Sequence, residues 1–343
     1  MQSFYDLTLP ELEKVIGALG NEKFRARQLY NWIYNRGVLD FSEMTNISKS
    51  LRGVFSDMFS TSTPVISDTL ESEDGSIKFG LLTEDGSLIE SVFMPEEGRN
   101  TLCVSSQIGC RMGCRFCVTG KIGFRRNLSA SEIVGQIMAV RQHLGDMRIS
   151  NIVFMGMGEP IDNLDNVLVS LDIIKNSLGL DFSHRKVTIS SVGLIGGLQS
   201  IQTKVASLAI SLNAANDEKR TYLMPINRMY PIREIIRFVK EFKASGRVRI
   251  TFEYVLLKGV NDSLEDAKEL AELLKGVKCK VNLIPCNESP YIEFKTPSPE
   301  TIERFQAYLH EKRFITIIRD SRGKDVSGAC GQLGMKYLEE CAP

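Results

Sequence analysis

Residues 101–137 read TLCVSSQIGCRMGCRFCVTGKIGFRRNLSASEIVGQI, and residues 151–160 read NIVFMGMGEP. A cysteine-rich loop is followed by Ser129-Ala130-Ser131-Glu132, the spacing of a capping box, which opens a helix running to His143. Ile152–Met155 is then an apolar strand run that ends at once in glycines. The same rhythm continues through Val187–Ile189, Ala206–Leu212, Val248–Leu256, Lys280–Ile284 and Phe314–Ile318, with helical stretches between. One of these, Thr301–Lys312, is opened by Ser298-Pro299-Glu300, a cap with proline at the first helical position. Alternating strand and helix make a parallel sheet. Six or so strands are too few for a closed eightfold barrel. The expected fold class is therefore α/β, an open or partial (β/α)6 barrel with its chemistry at the C-terminal ends of the strands.

Upstream the pattern differs. Residues 1–60 read as a small helical accessory domain, with Leu9, Leu12, Val15, Ile16 and Leu19 at helix spacing. Phe24 to Arg36 mixes Arg25, Arg27 and Arg36 with Tyr30, Trp32 and Tyr34. Such a face suits an RNA backbone, or its aromatics pack inside the domain and its cations are solvated. After a Ser/Thr/Pro-rich break at Ser60–Pro64, residues 61–95 read as a hairpin linker turning at Asp85-Gly86. Residues 96–325 form the expected barrel core and 326–343 a C-terminal segment.

The 42 basic and 42 acidic residues cancel, so any affinity for a polyanion must come from local patches. The N-terminal stretch lacks a basic region followed by an apolar one, and no run approaches the ~20 apolar residues of a membrane span. A cytoplasmic protein with no membrane partner is expected.

Cytoplasmic cysteines are kept reduced for metal or catalysis. Cys110, Cys114 and Cys117 form C-x3-C-x2-C, where soft thiolates on one short loop can wrap a single iron–sulfur site. Three thiolates leave one iron of a 4Fe–4S cluster open to a substrate's amine and carboxylate. The rival is structural zinc with Cys103 as fourth ligand, although zinc sites commonly use cysteine pairs separated by a longer spacer.

The quoted stretches, together with VTISSVG, ISLNAANDEKR, MPIN, VNLIPCN and SGACGQL, resemble the RlmN/Cfr family of radical S-adenosylmethionine (SAM) RNA adenosine methyltransferases. The likeness runs from about Phe24 to Leu333. It implies a radical SAM partial barrel, a 4Fe–4S cluster on Cys110, Cys114 and Cys117, and an RNA-binding role for the N-terminal domain. It further implies SAM contacts at Gly158, Glu159, Ser190, Ser211, Leu212, Asn213 and Asn287. Many family members carry His at the position of Asn213. Cys330 matches the methyl-accepting cysteine, Cys103 the thiol that resolves the product, and Glu90 the proton acceptor. Cys279, Cys286 and Cys341 match no catalytic position and are expected to be buried or idle thiols.

By the same resemblance, two SAM molecules serve each turnover. One methylates Cys330, and the other yields a radical that activates the S-methyl group for addition to C2 of adenine. Cys103 then releases the product and leaves a disulfide with Cys330. The implied partners are 23S rRNA, tRNA and an electron donor such as flavodoxin or ferredoxin, acting on a monomer. C8 methylation, the activity of the sister branch, and a non-catalytic zinc-stabilised RNA-binding protein are the alternatives. Lys121, Arg125, Arg126, Arg319, Arg322 and Lys324 flank the expected active-site loops as candidate phosphate contacts.

Overall fold

The computed structural model describes residues 1–201, 204, 205, 207–242 and 249–340. Its centre is a ten-stranded sheet: β1 (Val65–Glu71), β2 (Ile77–Leu82), β3 (Leu88–Glu96), β4 (Arg99–Cys103), β5 (Asn151–Phe154), β6 (Val187–Ser191), β7 (Ser207–Ser211), β8 (Arg249–Leu256), β9 (Cys279–Pro285) and β10 (Ile315–Ile318). The strands lie side by side in chain order, β1 to β4 antiparallel and β4 to β10 parallel. Parallel strands in chain order wind in one direction, and residues from all seven, from Arg99 on β4 to Ile317 on β10, line one concave lumen. The sheet is a partial barrel whose edges are β1 and β10.

The parallel part counts seven strands because Arg99–Cys103 opens it, a segment too short and polar to stand out as an apolar run. The expected hairpin linker is β2 and β3, with Gly86 in its turn at φ +78°. It continues the core sheet instead of tethering it, and β1 extends it as a largely exposed edge strand whose VISDTLE sequence hides it. The capping box holds: Ser129 caps the helix Ala130–Leu144, and Glu132 reaches back to its main chain. Ser298 likewise caps Pro299–Glu311. The expected strand starts Ala206 and Val248, and Cys341, lie outside the described residues.

The N-terminal helices Leu9–Ala18, Phe24–Tyr30 and Lys49–Met58 close over an aromatic core. Tyr30 and Tyr34 are fully buried and Trp32 nearly so, packed with Phe4, Phe55 and Phe59. These three aromatics therefore offer no stacking face to RNA. Arg36 lies over the Trp32 ring at 4.2 Å, and Arg27 pairs with Glu13. The domain shares its core with Val134 and Met138 of the helix Ala130–Leu144, and Asp6 accepts from the Ser131 N–H at 2.7 Å.

Candidate active site

Two cavities meet inside the barrel. The upper one, at the C-terminal ends of the strands, is lined by Cys110, Cys114 and Cys117 together with Gly158, Glu159, Ser190, Ser211, Asn213, Asn287 and Cys330. The lower one opens at the strands' N-terminal ends and holds Cys103. Cys330, Glu253 and Arg319 belong to both walls.

The cysteine loop is held by main-chain bonds from Cys110 N–H to Gly123, Arg115 N–H to Leu223 and Val118 N–H to Gly331. Gly109, at φ +71°, is required there, since a Cβ would stand 1.6 Å from the Gly123 carbonyl oxygen. Burial pushes the Cys110 thiol up to about 12 and raises Cys114 and Cys117; Cys117 adds to the shift at Cys110 and Cys114, and Cys330 to that at Cys117. A cationic iron centre reverses that penalty by holding them as thiolates. Among the described residues, no three His, Cys, Asp or Glu side chains converge on a single metal ion. Cys103 faces the lower cavity, away from the loop. Three thiols spread round one pocket fit a multi-iron cluster better than a four-thiolate zinc site.

The expected cofactor positions fall into three groups. Ser190 and Ser211 stand at strand ends on the cavity wall, and Asn287 donates to Ser321 and to the Cys330 carbonyl while its own buried Oδ1 has no partner. That orphaned acceptor suits a ligand N–H. Glu159 lies on the wall, but Ile161 N–H binds its Oε1 and Val192 N–H its Oε2, and burial raises its carboxyl to about 7. Gly158, at φ +100°, is needed because a Cβ would meet Gln107 at 2.6 Å, so its glycine reflects packing as well as access. Asn213 adopts φ +59°, the left-handed region that Asn and His tolerate better than most side chains, which accounts for either residue standing here. Its Oδ1 accepts from Val255 N–H at 2.8 Å.

Two expected contacts are not brought into the cavities. Leu212 is fully buried, with its N–H bonded to Glu253 and its carbonyl to Arg220. Glu90 is buried beneath the C-terminal segment, where Oε2 accepts from Gly334 N–H at 2.5 Å and Oε1 lies 3.3 Å from Lys78 Nζ. It stands on the same face of its strand as Val92 and Met94, which line the lower cavity beside Cys103, and the C-terminal segment covers it there. Among the expected phosphate contacts, Arg126 is held by Asp85 and Glu132, whereas Arg319 and Arg322 line the lower cavity.

Sequence reasoning missed Glu253, buried at the junction with an unpartnered Oε2, while Cys286 is buried as expected and lines the upper cavity. Cys279 is half-buried. At the Cys103 thiol, burial and the neighbouring Cys330 push the pKa up to about 12, while Arg319 opposes the shift.

Comparison with known proteins completes the site. Residues 104–274 match the model of the radical SAM superfamily, and residues 3–60 that of the ribosomal RNA large subunit methyltransferase N-terminal domain. The chain is 48% identical over 330 residues, 96% of its length and 94% of the relative's, to a dual-specificity RNA methyltransferase RlmN of Pelobacter propionicus. The chain belongs to the RlmN family. The RlmN relative from Geobacter sulfurreducens is 47% identical over 95% of this chain and 90% of its own. A crystal structure of a radical SAM methyltransferase from Sphaerobacter thermophilus shares the RlmN-family fold with a TM-score of 0.90 and 41% identity, covering 97% of this chain and 99% of that one. Membership of the radical SAM superfamily brings with it a 4Fe–4S cluster and SAM. No helix among the described residues is long and apolar enough to cross a membrane.

Proposed function

We propose that this chain methylates C2 of an adenosine in RNA, in both 23S rRNA and tRNA, through an S-methylcysteine at Cys330. The observation that carries this reading is the position of Cys330 on the wall shared by two cavities, one bearing the three loop thiols and the other bearing Cys103. Adenine C2 is electron-poor and has no lone pair, so direct displacement on a SAM methyl is closed to it. A relay between the two cavities answers that difficulty.

In this reading Cys110, Cys114 and Cys117 would hold the cluster, and Ser190, Ser211, Asn213 and Asn287 with the Gly158-Glu159 turn would hold SAM. When bound, the cluster and SAM supply a 5′-deoxyadenosyl radical, with the electron delivered by a donor such as flavodoxin or ferredoxin. Cys330 would be the acceptor of a methyl group from one SAM, and activating that S-methyl group would call for a second. Cys103, in the lower cavity beside Cys330, then attacks the Cys330 sulfur and frees the methylated base, leaving a disulfide for cellular reductant to open. Glu90 takes the proton that C2 loses before Cys103 attacks, and it also clamps Gly334, four residues beyond Cys330, fixing the segment that carries the methyl group. Leu212 acts through its main chain in shaping the strand end, not through contact with SAM.

The lower mouth suits RNA. Arg99, Arg185, Lys186, Arg249, Lys280 and Arg322 surround it, against the acids Glu96, Glu253 and Asp320. In a chain of zero net charge this is a local positive field, and a base swung out of its stack can enter while the flanking phosphates meet the rim. The protein acts as a monomer in this account. Mass spectrometry of nucleosides from RNA incubated with enzyme, SAM and reductant tests it against 2-methyl- and 8-methyladenosine standards. 2-Methyladenosine is expected; 8-methyladenosine would assign the sister activity, and unmodified RNA would overturn the reading.

A further inference from the structure

Arg220 is among the largest fully buried side chains of the described residues. It sits on the helix Asp217–Leu223, whose last carbonyl accepts from Arg115 N–H inside the cysteine loop. The guanidinium is saturated by neutral oxygens: Nε donates to Leu212 O at 3.1 Å, Nη1 to Asn227 Oδ1 at 2.8 Å and Tyr230 O at 3.3 Å, and Nη2 to Val192 O at 2.7 Å and Ser211 O at 3.2 Å. Every donor of the fork is used, and no carboxylate lies within ion-pair distance among the described residues. Asp217 spends its Oδ1 on Asn227 and on Ile232 N–H.

A guanidinium without a counter-ion in the interior is costly, and hydrogen bonds to carbonyls offset only part of that cost. Burial accordingly lowers its pKa to about 10. The surroundings lead to the cysteine loop: Val192, whose carbonyl accepts from Arg220, lines the upper cavity with Cys110, Cys114 and Cys117, and Arg115, next to Cys114, is bonded to the end of Arg220's own helix.

We propose that Arg220 is a positioning residue that sets the reduction potential of the iron–sulfur cluster, its fixed positive charge favouring the reduced state. This rests on the reading that Cys110, Cys114 and Cys117 hold a cluster. A cluster bound by three thiolates is anionic and gains a further negative charge on reduction, so a buried cation nearby raises its potential. Three of these five hydrogen bonds tie the ends of β6 and β7, so the strand ends proposed to hold SAM and the buried charge are fixed by one side chain.

The test separates charge from bracing. Wild type, Arg220→Lys, Arg220→Gln and Arg220→Met are reconstituted anaerobically, iron is counted, and the midpoint potential is read by an EPR-monitored redox titration without SAM. Arg220→Lys should stay near the wild-type potential, while Arg220→Gln and Arg220→Met should shift to more negative values. Loss of iron in the two neutral variants alone would support the charge role by a second route. Equal potentials in all four proteins would overturn it, as would iron loss in Arg220→Lys matching that in Arg220→Met, because a brace would then be all that Arg220 supplies. Wild-type protein that takes up no iron would defeat the cluster reading itself, and this inference with it.

Discussion

The upper and lower cavities share Cys330, Glu253 and Arg319 yet are built on different principles. The upper one is made by loops that follow strands. Glycines at tight approaches, main-chain bonds across the cysteine loop and one unpartnered amide oxygen shape it for a particular small ligand. The lower one is made by the strands' first residues, and its character is charge: Arg99, Arg249 and Lys280 each stand at or beside the start of a different strand. A pocket specified by hydrogen-bond geometry suits a cofactor of fixed structure, whereas a rim specified by field suits a polyanion of variable sequence.

The largest expected effects fall on the upper cavity. Replacing Cys110, Cys114 or Cys117 by Ala should abolish iron binding and methylation together, because each is one of only three protein ligands in this account. Iron analysis and activity assay on each variant check this, and a variant with full iron and full activity would remove that residue from the ligand set.

On the lower rim, Lys186→Glu with Arg249→Glu should raise the RNA concentration needed for half-maximal methylation by roughly tenfold or more, with a shallower salt dependence. SAM cleavage without RNA should be unchanged. If cofactor cleavage falls in step with RNA affinity, the two cavities are not separable in function.

Asn287→Ala removes the unpartnered acceptor and the bonds to Ser321 and Cys330. SAM affinity should drop about tenfold, the order of one to two hydrogen bonds, while iron content holds. Calorimetric titration with SAM measures it, and unchanged affinity would take Asn287 out of the cofactor site.

A further effect is on stability. Burial raises Glu159 to about 7 from the ordinary 4.5, so the folded state binds its proton more tightly than the unfolded state does. Its favourable contribution is complete below about pH 4.5 and is lost as pH rises through about 7. Chemical denaturation from pH 5 to 8 should show wild type losing stability, by at most ~3 kcal/mol from this group, with a smaller loss in Glu159→Gln. Parallel curves would show that Glu159 does not titrate in this range.

The contrast between the cavities also explains what could be read from sequence. Upper-cavity residues sit in short local patterns, such as C-x3-C-x2-C and the Gly158-Glu159 turn, and the capping box at Ser129 fixed the helix that follows. The lower rim has no local signature, because its cations are tens of residues apart and converge only when the strands align. β4 and β1 escaped because one is short and the other exposed. Nothing in the DEKR run sets Arg220 apart, and the packing of strand ends over its helix buries it. Tyr30 and Tyr34 beside arginines leave two readings open, an RNA face or an aromatic core, and their rings belong to a core with Phe4.

The central claim, that methyl passes from Cys330 to RNA and that Cys103 completes the release, is tested most directly with Cys103→Ala. Incubated with SAM, reductant and RNA, this variant should keep its iron, methylate Cys330, and then accumulate RNA covalently bound to protein, because no second thiol is present to attack the Cys330 sulfur. A denaturing gel should show a slow band that nuclease collapses and that is missing from the Cys103→Ala/Cys330→Ala double variant. Normal turnover by Cys103→Ala would contradict the account, and loss of its iron would return Cys103 to the metal site.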